Sequence, residues 1–364
     1  MEKRVVFIMS SMQDTHALKR IGEFLDHGYM VKVYGFNRSN ISIPTENRFP
    51  IEVIGNFASE RNYLSRLPAM FRAMRYIAGR HSRDELFYYF GLDIALIAKI
   101  FLRNKYIYEE CDLLNAYFKQ KVISLPLKWY DRRIMKRSVE TVLTSEGFRI
   151  YHFGDDVPRN ITVIPNKLNP WCLETYNAVP FYKTVSDTLR IGFVGMIRAE
   201  AVYNFARVFA REFPAHEFHF FGVVSSWTEQ QIELLEQYPN IRFHGRFINP
   251  GDLPDIYAGI DLVLATYDTE CENPRFAEPN KLYEAIFYET PIIVSRGTFL
   301  ADRVLSLNVG FSVDALDDKA VIALISSLTA DIIKEKQEAC RAIPKADSIN
   351  DNRPFFQKLE SRIG

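Results

Sequence analysis

No two of the four cysteines form a Cys-x-x-Cys pair; Cys111, Cys172, Cys271 and Cys340 are scattered along the chain. That spacing suggests no zinc or iron–sulfur site and fits a reducing compartment. Long apolar runs are lacking too: no stretch approaches the roughly 18 residues that span a bilayer. The first residues pass straight into an apolar segment, Arg4 to Met9, with no signal-peptide pattern. A cytoplasmic protein, soluble or peripheral on the inner face of the cell membrane, is expected. The turn that follows, Ser10 to His16, holds no glycine. A dinucleotide fingerprint needs glycines there for close approach of the pyrophosphate. Also missing are a GxSxG elbow, a GK[ST] loop and an HExxH helix. Charge does not point to nucleic acid: 45 Lys and Arg balance 45 Asp and Glu. No basic module interleaved with stacking aromatics is recognisable.

What is present suits a folded two-domain protein. A chain of 364 residues exceeds one comfortable core, and its 28 Phe and 19 Tyr leave little room for disorder. The neutral total hides an asymmetry. Residues 1–165 carry 25 basic against 18 acidic side chains, and the remainder carries 20 against 27. Such a split can hold two halves together or give the first half a face for an anionic ligand or lipid.

Apolar segments of strand length alternate with amphipathic helical ones through both halves. In the first, strands are expected over 4–9, 30–36, 51–54, 86–90, 105–109 and 139–144, and the segment 160–166 closes the domain. Helices are expected over 15–27, 63–79, 92–102 and 124–137. In the second, strands are expected over 189–194, 217–222, 240–243, 261–265 and 291–294. The helices there are 200–212, 227–237, 252–258, 280–288 and 315–341. The pattern predicts two doubly wound, parallel-sheet α/β domains of Rossmann type, facing across a cleft. Their expected bounds are 1–169 and 189–343, with a polar linker over 170–188. A final helical segment, 344–364, should pack back toward the first domain.

The strongest local signal is Pro279-Asn280-Lys281-Leu282-Tyr283-Glu284, running through a helix to Pro291 and the apolar Ile292-Ile293-Val294. Proline suits a helix opening, and the first free N–H groups of a helix are a natural seat for phosphate. Lys281 adds a point charge. Gly195, directly after a strand, allows tight backbone passage, and Arg198 at the next turn can bind phosphate through two parallel hydrogen bonds. Glu284 would repel phosphate but can accept from two adjacent ribose hydroxyls. His244 to Ile248, including Arg246 and Phe247, can form a wall for a base, or simply a turn. The charged segment Asp268 to Glu278 reads as a loop at a cleft edge.

In the first half, Asp14, His16 and Lys19 sit in and beyond the first strand's loop. His16 is either a structural histidine or, with Asp14 beside it, a general base. Glu109, Glu110 and Asp112, with Ser145 and Glu146, would offer carboxylates and a hydroxyl on one side. The helix 63–80 carries Arg66, Arg72, Arg75 and Arg80, with Pro68 expected near its true start. It is either packed on the sheet with a solvated basic face or in contact with an anionic membrane surface.

Taken together, PNKLYEAIFYETPIIVS (279–295), IGFVGMIR (191–198), IRFHGRF (241–247), IDLVLATYD (260–268) and VIPN (163–166) resemble the group-1, GT4-like glycosyltransferases of GT-B fold. The resemblance spans nearly the whole chain. It implies transfer of a sugar from a nucleoside-diphosphate donor, with retention, without a metal and with no tightly bound cofactor. It places Glu284 on the donor ribose, Asn280, Lys281 and Leu282 along the diphosphate, and Arg198 at the phosphate-binding arginine. By the same resemblance the acceptor is a glycan or lipid-linked sugar on the first domain, in surface-polysaccharide synthesis.

Four positions depart from the family pattern. The first glutamate of its pair falls at Phe276, with Glu278 displaced from it. Tyr203 and Asn204 stand near the usual lysine, and Glu289 replaces the usual glycine. The first loop lacks the family glycines. If the reaction inverts, His16 or Asp14 is the base to test. A nucleotide-sugar epimerase on the same frame, or a non-catalytic nucleotide- or sugar-binding protein, are the rivals.

Overall fold

The computed structural model describes residues 3–38, 48–57, 63–178 and 188–363. They divide into two compact units, Met1–Ile164 with Asp351–Gly364, and Pro165–Asn350. In the first, seven strands form one sheet in the order β3-β2-β1-β4-β5-β6-β7. Their ranges are β1 Arg4–Met9, β2 Met30–Arg38, β3 Ile51–Phe57, β4 Leu86–Phe90, β5 Tyr106–Glu110, β6 Glu140–Leu143 and β7 Ile161–Val163. Helices α1 Thr15–Asp26, α2 Tyr63–Ala78, α3 Leu92–Phe101, α4 Lys121–Arg137 and α5 Glu146–Phe153 connect them.

The second unit begins with helix α6, Pro170–Ala178. Its six strands are β8 Arg190–Val194, β9 Glu217–Phe221, β10 Ile241–Gly245, β11 Leu262–Ala265, β12 Ile292–Ser295 and β13 Gly310–Val313. They lie in the order β10-β9-β8-β11-β12-β13. Between them run α7 Glu200–Glu212, α8 Glu229–Glu236, α9 Leu253–Ala258, α10 Glu272–Phe276, α11 Asn280–Phe287 and α12 Phe299–Ser306. Helices α13 Asp318–Ser327 and α14 Ala330–Ala342 follow, and α15 Arg353–Ile363 returns to the first unit.

All named strand pairs are parallel. Sheets covered by helices on both faces need strands that are apolar throughout, and β1, β4 and β12 are buried almost end to end. Each sheet reverses its winding once, between β1 and β4 and between β8 and β11. Such switch points open a crevice beyond the carboxyl ends of the strands. The first core centres on Phe7, Phe24 and Tyr88, with Phe355 and Phe356 of α15 stacked edge-on against Phe24. The second unit has apolar layers on both sides of its sheet, one around Phe205 and Phe218, the other around Tyr257, Leu282 and Phe287.

Several boundaries differ from the sequence expectation. Helix α2 starts at Tyr63, five residues before Pro68. Burial of Met70, Ala73, Met74 and Ile77 outweighs the one ladder bond a proline removes. Residues 170–178, read as linker, form α6, whose Cys172, Leu173 and Tyr176 pack on the second core. The span 315–341 breaks at Leu328, after which Thr329 caps α14 by accepting from the Ile332 N–H at 3.3 Å. The charged stretch before Pro279 contains the short helix α10, and α5, α12 and β13 are further elements that the alternation did not reveal.

Candidate functional site

Three glycines line the carboxyl edge of the second sheet, from β8 at the switch point outward to β10. Gly195, Gly222 and Gly245 stand at the carboxyl ends of the adjacent strands β8, β9 and β10, with φ of 127°, 139° and 76°. The Gly195 N–H donates to the Phe221 carbonyl at 2.8 Å, and the Gly222 N–H to the Gly245 carbonyl at 2.7 Å. A Cβ on Gly222 would lie 1.9 Å from the Gly195 carbonyl oxygen, so no other residue fits there. Neither Gly222 nor its bond to Gly245 was foreseen. A signal was available in the thrice-repeated aromatic-x-Gly at Phe193, Phe220 and Phe243.

Over this edge stands the start of α11. Pro279 is the cap residue, one position earlier than an N1 proline, and Asn280 opens the helix. Near the start of a helix the N–H groups have no intrahelical partner. The Leu282 N–H, however, bonds the Pro279 carbonyl at 3.2 Å and its side chain is fully buried. Leu282 therefore anchors the helix, while Asn280 and Lys281 face outward. The Lys281 ammonium hangs 3.3 Å from where a Cβ of Gly195 would be. It lies 4.7 Å above the Phe193 ring and makes a long 3.4 Å hydrogen bond to the Tyr267 hydroxyl. Among the described residues no carboxylate forms an ion pair with Lys281, nor with the exposed Arg198 and Arg246. Phe247 is half-buried against the Tyr257 side of the core.

One turn along α11, Glu284 is buried and accepts from the Tyr257 hydroxyl at 2.8 Å. Burial raises its pKa, against the opposing pull of that hydrogen bond and of the Lys281 charge. A cation over bare backbone, with a carboxyl one turn behind, can bind an anion and an adjacent polyol.

The departing positions have structural occupations. Glu289 adopts a left-handed φ of 53°, the conformation in which a glycine is at ease. Its carboxylate accepts from Lys345 at 2.9 Å, Arg341 at 2.9 Å and the Tyr176 hydroxyl at 3.2 Å. Glu278 is buried and accepts from the Tyr283 hydroxyl; Phe276 closes α10. Tyr203 is packed edge-on against Trp227, and Asn204 bonds the Ala315 carbonyl and Asp318.

In the first unit Asp14 is a helix cap. Its carboxylate accepts from the His16 and Ala17 N–H groups at 3.0 and 3.2 Å, which ties it to α1. His16, half-buried, meets Glu109 through Nε2 at 2.9 Å. Glu109 also binds Arg20, at 3.1 to 3.3 Å, and the Tyr88 hydroxyl at 2.5 Å. Burial would raise the Glu109 pKa, yet Arg20 and His16 hold it far below the usual carboxylate range.

Glu109 and Glu110 do not lie on one side, because neighbouring strand residues point to opposite faces. Glu110 meets His152 of α5 at 3.0 Å, near Asp131, which accepts from the Tyr108 hydroxyl at 2.9 Å. Burial pushes Glu110 up to about 8, raises Asp131 well above its ordinary range and lowers His152 to about 4. Ser145 caps α5 by accepting from the Gly147 N–H at 3.0 Å, and Glu146 pairs with Arg149.

Two groups bring metal-ligating atoms within 4.8 Å of one another: His16, Glu109 and Cys111, and Glu110, Asp131 and His152. In the first, the Arg20 guanidinium already neutralises Glu109. In the second, burial favours protonated carboxyls. His152 also lines a recess of about 410 Å³ with Arg132 and Lys136.

Two Rossmann-like parallel sheets of this kind are the GT-B fold, and the glycines stand at the carboxyl ends of the strands, the side on which open α/β sheets bind ligands. Residues 188–331, most of the second unit, match the family model described as glycosyl transferases group 1, and the chain is a glycosyltransferase. No curated protein matches the sequence. Solved structures agree on the fold. A sucrose-phosphate synthase from Thermosynechococcus elongatus is 14% identical, with a TM-score of 0.70 over 100% of this chain and 99% of that one. HepE of Anabaena, in complex with UDP and glucose, is also 14% identical, at 0.67 over 99% and 100%. WaaG, a glycosyltransferase involved in lipopolysaccharide biosynthesis, is 12% identical, at 0.61 over 94% and 97%.

Proposed function

We propose that the enzyme moves a sugar from a nucleoside-diphosphate donor to a hydroxyl of a glycan or lipid-linked sugar, in surface-polysaccharide assembly. The donor occupies the second unit and the acceptor the first. The observation that carries this is the Lys281 ammonium, without a carboxylate partner among the described residues, poised over Gly195. In that position it neutralises the diphosphate as negative charge builds on the leaving group. Asn280 and the start of α11 add oriented N–H groups, and Arg198 and Arg246 supply further positive charge around the strand ends. Glu284, fixed by Tyr257, takes the ribose hydroxyls. The cationic set does the neutralising without a metal. Retention by front-face attack, with the diphosphate assisting deprotonation, follows from the family resemblance.

The acceptor reading also puts the enzyme at the inner face of the cell membrane, as a peripheral protein; no described helix is long and apolar enough to cross it. Calorimetry with a panel of nucleoside diphosphates and their sugars tests the donor site. One nucleotide should bind clearly. Lys281→Ala and Glu284→Gln should each weaken binding by about tenfold or more, the loss of one charge-assisted contact. No binding by any nucleotide to the folded protein would remove the donor-site assignment. Donor conversion without any acceptor would restore the epimerase reading.

A further inference from the structure

Helix α4 is built the wrong way round for a helix that only packs on a sheet. Its buried side is narrow: Asp131, Ile134 and Met135 alone are fully enclosed. On the opposite side Val122, Leu125 and Trp129 follow one another at helical spacing and are 82%, 61% and 55% exposed. Ile123 and Tyr130 of the same helix are also exposed, as is Tyr117 just before it. The outward stripe continues into Arg133 and Lys136, and Lys121 and Arg137 stand at the two ends. None of these four cations forms an ion pair with a carboxylate among the described residues. The helix's single acid, Asp131, points inward to Tyr108. Trp129 packs edge-on against Tyr130, and Arg133 lies 5.3 Å over the Trp129 ring.

Apolar side chains facing out, with those unpaired cations along the stripe and at its ends and no exposed acid on the helix itself, match a bilayer interface with anionic headgroups. The exposed acid Asp156 shares a recess with Lys136 at the far end of the stripe. Helix α2 does not offer this. Arg66 is buried over Phe57, Phe71 is packed edge-on against Phe101, and the Tyr76 ring is covered by Arg80 at 3.5 Å.

We propose that α4 is the membrane-docking surface of this enzyme, with Val122, Leu125 and Trp129 entering the headgroup–acyl boundary of an anionic bilayer. Lys121, Arg133, Lys136 and Arg137 then meet the lipid phosphates. The inference rests on the reading of a membrane-borne acceptor, and it moves the contact from α2 to α4.

The test is co-sedimentation of the full chain with vesicles of phosphatidylcholine mixed with phosphatidylglycerol, and with phosphatidylcholine alone. The protein should pellet with the anionic vesicles, and added salt should release it. Val122→Ser with Leu125→Ser and Trp129→Ser, and separately Arg133→Glu with Lys136→Glu, should each lower binding at least about tenfold, as expected for lost interfacial burial or charge. Arg72→Ala with Arg75→Ala should leave it unchanged. These side chains are exposed, so unchanged melting temperatures and nucleotide affinity should accompany the loss. Vesicle binding that survives both α4 variants, or no binding by the unmodified chain, overturns the proposal. So does a dimer, formed without vesicles, that the same substitutions dissolve. Sugar transfer to a soluble acceptor by a chain that binds no vesicle would overturn the surface and leave the transferase reading standing.

Discussion

Lys281 and Glu284 lie three residues apart and meet opposite environments. The lysine faces a strip of bare backbone, while the glutamate is enclosed by Tyr257 and the core. Gly222→Ala should abolish nucleotide binding, since the added carbon collides with the Gly195 carbonyl and must displace the strand end; calorimetry with the folded variant checks it. On β5 the two adjacent glutamates predict opposite effects. Glu109→Gln removes one of the two carboxylate partners of buried Arg20, Glu23 remaining at 2.6 Å, and should cost about 1.5–3 kcal/mol in urea denaturation at neutral pH. Glu110 is the reverse case. Its folded pKa of about 8 exceeds the ordinary 4.5, so the folded chain holds more protons between those values. Stability from this group is therefore full below about 4.5 and falls as pH rises toward 8. Glu110→Gln should flatten that decline in a series of melting temperatures across the same window.

At the scale of elements, the junction of α11 with β12 shows how a family departure is accommodated. Glu289 holds a left-handed backbone that costs a side-chain-bearing residue about 1 kcal/mol. Its ion pairs with Arg341 and Lys345 tie α14 and the turn after it to α11. Glu289→Ala loses the pairs and keeps the strain; Glu289→Gly loses the pairs and relieves it. Both variants should be less stable than the parent, with the glycine variant ahead by about 1 kcal/mol in urea unfolding. An alanine variant as stable as the glycine one would show that the backbone is not strained there. Sequence reading identified the position as unusual. It could not see Arg341 and Lys345, more than fifty residues away, as partners.

On the scale of the whole molecule, the second unit is one continuous stretch, whereas the first needs the chain's last residues. In α15, Phe356 packs against Phe24 and stacks on His27 at 3.6 Å, and Lys358 binds Glu140. Phe356→Ala should lower the stability of the first unit by about 3–5 kcal/mol. It should leave nucleotide affinity in the second unit unchanged, which calorimetry beside a denaturation curve resolves. Equal loss in both would mean that the units unfold as one.

The alternation of apolar strands with amphipathic helices determined the two-sheet class, because periodicity and burial are local properties of the chain. It also exposed the Pro279–Glu284 segment, since helix openings carry their own residue preferences. The sequence could not say which neighbours complete each side chain. Asp14 and Ser145, singled out for their polar side chains, each cap a helix, while the adjacent Glu109 and Glu110 face opposite sides of one sheet. Gly195, Gly222 and Gly245 converge only because β8, β9 and β10 are neighbours. Basic charge is equally visible in α2 and α4, but packing turns Arg66 inward and leaves Trp129 outside. Which face of an element meets solvent is settled by contacts between residues distant in the chain, and those exist only once the sheets have assembled.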